Sequence, residues 1–134
     1  MSEAQAGSAA VVRSFLTLLE EGRAEEAVAL LSPEVAWCNT GMPTFRGRRV
    51  HAMLRDMERR AVGFRVDLHH IAENGEIVLT DRTDHLSYKR WTSSFWVCGT
   101  FEVRDGLITL WDDHFAMGNF LAALARGLIG AVRR

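Results

Sequence analysis

Apolar positions change period twice along this chain, and the changes mark its elements. Val11, Val12, Phe15, Leu16, Leu18 and Leu19 recur at helical spacing, and Gly22 is a natural stop. A shorter helix is predicted from Ala24 to Leu31, ended by Ser32-Pro33, because proline disfavours the helical region in the residue before it. Glu34 to Thr40 reads as a strand with Val35, Trp37 and Asn39 on one face. Gly41 to Gly47, with Pro43, reads as a loop. A helix from Arg48 to Ala61 then places Val50, Met53, Leu54, Met57 and Ala61 on one stripe.

From Gly63 the period becomes two. Phe64, Val66, Leu68, His70 and Ala72 alternate with Arg65, Asp67, His69 and Ile71, and Asn74-Gly75 signals a hairpin turn. Strands follow over Glu76 to Leu86, Trp91 to Val103 and Leu107 to Phe115, joined by a turn at Tyr88 to Arg90 and by Asp105-Gly106. Met117, Phe120, Leu121, Leu124, Leu128 and Ile129 form a closing amphipathic helix. Helices first and a strand meander afterwards predict an α+β fold rather than a parallel α/β sheet. A curved, mainly antiparallel sheet with helices over one face would enclose an apolar pocket, the usual form of a ligand site.

The charges that interrupt these strands are the chemistry-bearing feature. Arg82 and Asp84 share a face with Val78, Thr80 and Leu86, and Asp113 shares one with Leu107, Trp111 and Phe115. Charge on an apolar face costs several kcal/mol unless it is paired, roughly the penalty for uncompensated buried ions. Alternation does not choose between Asp112 and Asp113, because Asp112 shares an equally apolar face with Ile108, Leu110 and His114. Surface ion pairs on an exposed strand edge are the competing explanation for the whole set. Trp37 and Asn39 belong to the same pocket if the faces converge.

Composition narrows the classes. The 134 residues suit one domain spanning 1–134, with about residues 1–8 as a frayed start; 48% are hydrophobic and 25% charged. A formal net charge of −1 argues against nucleic-acid or anionic-membrane partners. No signal peptide and no membrane-spanning window is evident. Cys38 and Cys98, in apolar strand surroundings, are expected to be reduced core thiols of a cytoplasmic protein. The histidines His51, His69, His70, His85 and His114 lack metal-ligand spacing. His70, on an apolar face, is expected in the core or cavity, and His85 on the face opposite Asp84. No GxSxG elbow, P-loop or GxGxxG is present. Phe95 and Trp96 point to opposite faces of one long strand, so one face is expected to pack on another subunit.

Three segments carry a family resemblance: Trp37-Cys38-Asn39 with Met42-Pro43-Thr44-Phe45-Arg46-Gly47-Arg48, then Asp81-Arg82-Thr83-Asp84, then Gly106 to Phe115 with Trp111-Asp112-Asp113. In this order and spacing the chain resembles the limonene-1,2-epoxide hydrolase family of the NTF2-like, or SnoaL-like, superfamily, over nearly its whole length. The resemblance implies an NTF2-like cone and a cofactor-free epoxide hydrolase acting on a small lipophilic epoxide and water, as a homodimer. It places the family's Arg-x-Asp on Arg82 and Asp84, its second aspartate on Asp113 rather than Asp112, and its water-holding asparagine on Asn39. Asp113 would be the base, Asp84 a protonated acid and Arg82 the bridge between them. Trp111, Phe115, Val78 and Leu86 would line the substrate pocket. Trp37 stands where the family has a tyrosine, and Ala116 where it often has an acid. An indole N–H only donates, so a water beside Trp37 can accept from it but not donate to it. The competing functions are a ketosteroid-isomerase-like or polyketide-cyclase-like enzyme of the same superfamily, or a non-catalytic binder of an apolar small molecule.

Overall fold

The computed structural model describes residues 7–133. Most of the expected frayed start, residues 1–6, therefore lies outside the described residues. Ser8 already opens α1 (Ser8–Glu20), and its hydroxyl donates to the Gly75 carbonyl at 2.9 Å. Gly22 ends this helix region with φ of 68°, in the left-handed conformation that suits glycine at a helix stop.

The remaining elements are α2 (Ala24–Val28), β1 (Leu31–Asn39), β2 (Phe45–Arg46), α3 (Arg48–Arg59), β3 (Gly63–Asn74), β4 (Ile77–Tyr88), β5 (Trp91–Arg104), β6 (Leu107–His114) and α4 (Met117–Arg133). They form one curved, unclosed sheet in the order β2-β1-β6-β5-β4-β3. β1 runs parallel to β6, and every other neighbouring pair is antiparallel. The expected α+β architecture is therefore present. Val11, Val12, Phe15 and Leu16 of α1 pack with Val35, Val50, Leu54, Val78, Phe101, Ile108 and Trp111 in the main core. α4 packs against β5.

Local boundaries differ from expectation where tertiary pairing outweighs local preference. α2 ends at Val28, and Leu31 starts β1 by pairing with Ile108. Pro33 falls inside β1, where the register with β6 shifts between Leu31 and Ala36. This is one of the irregular strand positions that can lack a ladder donor. The loop from Gly41 to Gly47 contains the two-residue strand β2, paired through Ala36 with Arg46 and Trp37 with Phe45. α3 stops at Arg59, and Ala61 adopts φ of 56° beyond the helix.

Two register shifts change which side chains face inward. In β3, Leu68 pairs with Arg82 but His70 pairs with Asp81, leaving His69 as an extra residue. Beyond this bulge the alternation inverts. His70 turns outward, 82% exposed, with Nδ1 2.9 Å from Asp81 Oδ2, whereas Ile71 packs against the core. The expectation of a core or cavity His70 is thereby corrected. In β6, Glu102 opposes Leu110 but Val103 opposes Ile108, so Thr109 is extra. Ile108, not Leu107, thus shares the buried side with Trp111 and Asp113.

Cys38 and Cys98 are free but only half-buried, not core residues. Each alternates with inward neighbours, Trp37 and Asn39 for one, Val97 and Gly99 for the other. Among the described residues, no helix is long and apolar enough to cross a membrane.

Candidate active site

β4 delivers the first two charged groups. Its inward positions Val78, Thr80, Arg82 and Asp84 are all buried, and Arg82 is 0% exposed. β6 delivers Asp113, 5% exposed. Gly99 of β5 pairs with both Thr80 and Asp113, so one row of the sheet carries a hydroxyl, a bare backbone and a carboxylate in succession.

Arg82 lies between the carboxylates. Its Nε donates to Asp84 Oδ1 at 2.8 Å and its Nη2 to Asp84 Oδ2 at 3.0 Å. Nη2 also lies 2.8 Å from Asp113 Oδ2, and Nη1 donates to Thr80 Oγ1 at 3.1 Å. Burial works against the guanidinium charge, but the Asp113 and Asp84 carboxylates more than reverse this and push its pKa up. Fork-to-carboxylate geometry of this kind is the strong form of ion pairing.

Asp113 is held by a second donor. Trp111 Nε1 donates to Asp113 Oδ2 at 3.0 Å. The indole is fixed by Trp37 stacked on it at 4.2 Å and 10°, and by Phe15 meeting it edge-on at 5.0 Å and 83°. Desolvation pushes the Asp113 carboxyl up to about 6, strengthened by the Asp84 charge and opposed by Arg82 and the Trp111 N–H. Asp113 Oδ1 and Trp37 Nε1 are both buried and without a hydrogen-bond partner. Asn39 is the β1 register partner of Asp113, which puts the two side chains side by side.

These residues border a cavity of about 260 Å³. Asp84, Asp113 and Asn39 contribute polar groups, while Trp37, Trp111, Leu86 and Phe115 contribute apolar wall. Arg82 is not in the lining; it sits sealed behind the two aspartates. Val78, expected in the pocket, does not line it either. It faces Phe101 across the sheet and packs into the core.

Asp112 faces outward, with Oδ2 3.1 Å from His114 Nε2, which resolves the ambiguity between the adjacent aspartates. His85 also faces away, bonded to Ser94 and Asp67 at 2.6 and 2.8 Å. Among the described residues, no cluster of His, Cys, Asp and Glu is placed to hold a metal ion.

Sequence reasoning missed several wall residues. Met53 and Met57 are visible in the sequence as part of the α3 stripe, and Phe95 is the register partner of Asp84. Phe120 of α4 is legible only as an amphipathic position. It meets Phe95 and Phe115 at ring separations of 4.9 and 5.0 Å and closes one side of the cavity.

The limonene-1,2-epoxide hydrolase catalytic domain matches residues 6–126. The chain belongs to this family. It is 42% identical over 122 residues to the epoxide hydrolase EphG of Mycobacterium tuberculosis, covering 90% of this chain and 81% of that protein. A solved structure of an M. tuberculosis LEH-like epoxide hydrolase superposes with a TM-score of 0.87 at 40% identity, covering 93% of this chain and 94% of the other. An NTF2-like protein of Burkholderia pseudomallei, 15% identical, shares the fold with a TM-score of 0.72 over 92% of this chain and 98% of its own. The expected membership of the limonene-1,2-epoxide hydrolase family and of the NTF2-like fold is therefore established.

Proposed function

We propose that this limonene-1,2-epoxide hydrolase family member adds water to a lipophilic epoxide in one step, giving a vicinal diol. The observation that carries the reading is the convergence of Asp84, Arg82 and Asp113 at the wall of an otherwise apolar cavity. An epoxide is strained, but its oxygen leaves poorly as an alkoxide, so a base and an acid must act on opposite sides of the substrate. Asp113 and Asp84 come from β6 and β4, on either side of β5 and of the guanidinium.

Asp113 is the base. Above pH 6 it is ionised, and a carboxylate with a raised pKa is a stronger base than an ordinary one. Water oxygen attacks one epoxide carbon while Asp113 takes a water proton. The ring C–O bond of that same carbon breaks on the face away from the water, and the oxygen, still held by the other carbon, takes a proton from Asp84. Both Asp84 oxygens accept from Arg82, so that proton must occupy the Asp84 lone pair turned to the cavity. The acid role therefore rests on the family resemblance, with the bridging position of Arg82 supporting it. Afterwards the proton on Asp113 must return to Asp84, and the charge held between them by Arg82 lowers the cost of that reset.

Asn39 and Trp37 position the attacking water. The unpartnered Trp37 N–H donor and Asp113 Oδ1 acceptor match the two polarities that a nucleophilic water presents to its surroundings. The substrate's remainder is apolar, because the walls supply Met, Leu, Phe and Trp side chains. No cofactor takes part in this scheme. Leu79 at 49% and Trp96 at 55% exposure are large apolar side chains left uncovered on the outward side of β4 and β5, which supports a homodimer. The two unpaired cysteines fit a cytoplasmic setting.

The deciding experiment offers a panel of terpene and aryl epoxides to the wild type, Asp113→Asn and Asp84→Asn. Diol formation by the wild type and its loss in both variants is the expected result. A single turnover in ¹⁸O-water should place the label directly in the diol. Label reaching a protein carboxylate first, or ligand binding with no turnover of any epoxide, would reject the scheme.

A further inference from the structure

Arg82 is held on its far side by a residue that the reaction scheme does not use. Its fork on Asp84 has two contacts, at 2.8 and 3.0 Å, whereas Asp113 receives one, at 2.8 Å. Two contacts on one carboxylate fix a hinge but leave rotation about it free. The group that opposes this rotation is Thr80, whose Oγ1 accepts from Nη1 at 3.1 Å. Thr80 is 2% exposed, and its own hydroxyl proton goes to the Gly99 carbonyl at 3.2 Å. The hydroxyl is therefore oriented, and only its lone pairs are left for Arg82.

Gly99 supplies the space. A Cβ at this position would lie against Arg82 Nη1, 2.8 Å from Thr80 Oγ1 and 2.9 Å from Asp113 Oδ1. Real Cβ atoms do not approach so closely, and the obstructing atoms belong to fully packed groups rather than mobile ends. The Phe101 ring lies against the guanidinium, its centroid 5.9 Å from the guanidinium carbon. The slot over Gly99 thus has one side made by Thr80 and the other by Asp113.

We propose that Thr80, seated against the Gly99 backbone, is the positioning residue that turns the Arg82 guanidinium onto Asp113. This deepens the hydrolase reading and rests on it for its catalytic meaning, although the geometry stands without it. Remove the Thr80 acceptor and a buried Nη1–H has no partner, so the guanidinium rotates to find one. The single contact to Asp113 gives way before the double contact to Asp84. Asp113 then loses the cation that opposes its desolvation.

The test compares wild type, Thr80→Val, Thr80→Ser and Gly99→Ala, each checked for folding by circular dichroism. The Asp113 carboxyl is titrated by ¹³C NMR, and kcat and KM are measured on an epoxide the wild type hydrolyses. Thr80→Val should raise the Asp113 titration by about one unit, the scale of losing a neighbouring cation contact. It should lower kcat about tenfold with KM changed less than about twofold, the signature of an interaction needed beyond substrate binding. Thr80→Ser should restore both, and Gly99→Ala should raise the titration with Thr80 intact. An unchanged titration in folded Thr80→Val or Gly99→Ala overturns the proposal, as does a Thr80→Ser variant as impaired as Thr80→Val, which would assign the residue to methyl packing. If Thr80→Val does not fold, Thr80→Ala takes its place with the same expected titration. Should no epoxide turn over even with wild type, the hydrolase reading fails, while the carboxyl titration still decides the role of Thr80.

Discussion

Replacing Asp113 by asparagine should abolish turnover and also flatten the dependence of stability on pH. The Asp113 carboxyl has a folded-state pKa of about 6 against an ordinary value of 3.8. The folded protein therefore binds this proton more tightly than the unfolded chain. Stability from that proton is fully present below about pH 3.8 and is lost as pH rises through about 6. A shift of about two units corresponds to about 3 kcal/mol in total, of which about 2 kcal/mol falls between pH 4.5 and pH 8. The introduced amide cannot ionise, so the variant lacks this loss. Measured against the protonated carboxyl, substitution alters only the hydrogen bonds with Arg82 and Trp111, at a cost of about 1 kcal/mol that does not vary over this range. The stability of Asp113→Asn relative to wild type should consequently improve by about 2 kcal/mol from pH 4.5 to pH 8. Urea unfolding of both proteins at the two pH values, at one protein concentration, measures this, with equal m-values confirming comparable unfolding. Titrating groups remote from Asp113 act alike in both proteins and cancel. Parallel stability curves would refute the argument that burial of Asp113 dominates its environment.

If Asp113 is the proposed base, kcat/KM should rise with pH through about 6 with its ionisation, which initial rates in overlapping buffers will show. Trp37→Phe removes the unpartnered donor while keeping an aromatic ring against Trp111. It should lower kcat by about tenfold, as expected for loss of one positioned polar group, whereas Trp37→Tyr should retain more activity than Trp37→Phe. Equal rates for wild type and Trp37→Phe would remove Trp37 from the water site. Trp96→Glu replaces an exposed tryptophan by a charge and should convert the proposed dimer to a monomer in light scattering, with the fold retained. An unchanged mass would put the subunit contact elsewhere.

How far the site was legible depended on how regular each strand was. β4 is regular, and alternation from Val78 to Asp84 correctly put Thr80, Arg82 and Asp84 on one buried face. β3 and β6 each carry one extra residue, at His69 and Thr109. A period-two reading carried across a bulge reverses its assignment, so alternation alone places His70 and Leu107 inward. The local sequence around His69-His70 contains nothing that marks the inversion. It comes from pairing with Thr80, Asp81 and Arg82, residues distant along the chain. Both hairpin turns, the order of the long elements and the α+β class match because they depend on local signals stronger than one residue of register.

The bulge at Thr109 also explains why alternation left Asp112 and Asp113 undecided. Before the bulge the inward position is Ile108, and after it the inward positions are Trp111 and Asp113. Counting back from the aspartates therefore meets apolar residues on both faces, whichever is chosen. The physical discriminator is on another strand: Gly99, opposite Asp113, is the residue that leaves room for a guanidinium. Thr100, opposite Asp112, keeps a side chain. A glycine inside a long apolar strand weakens it unless something must approach the backbone closely. Here the approaching group is Arg82, and its two nearest side-chain neighbours over that glycine are Thr80 and Asp113. The two carboxylates, the guanidinium between them and the bare backbone beneath thus form one packing unit, and the position of its glycine selects which aspartate belongs to it.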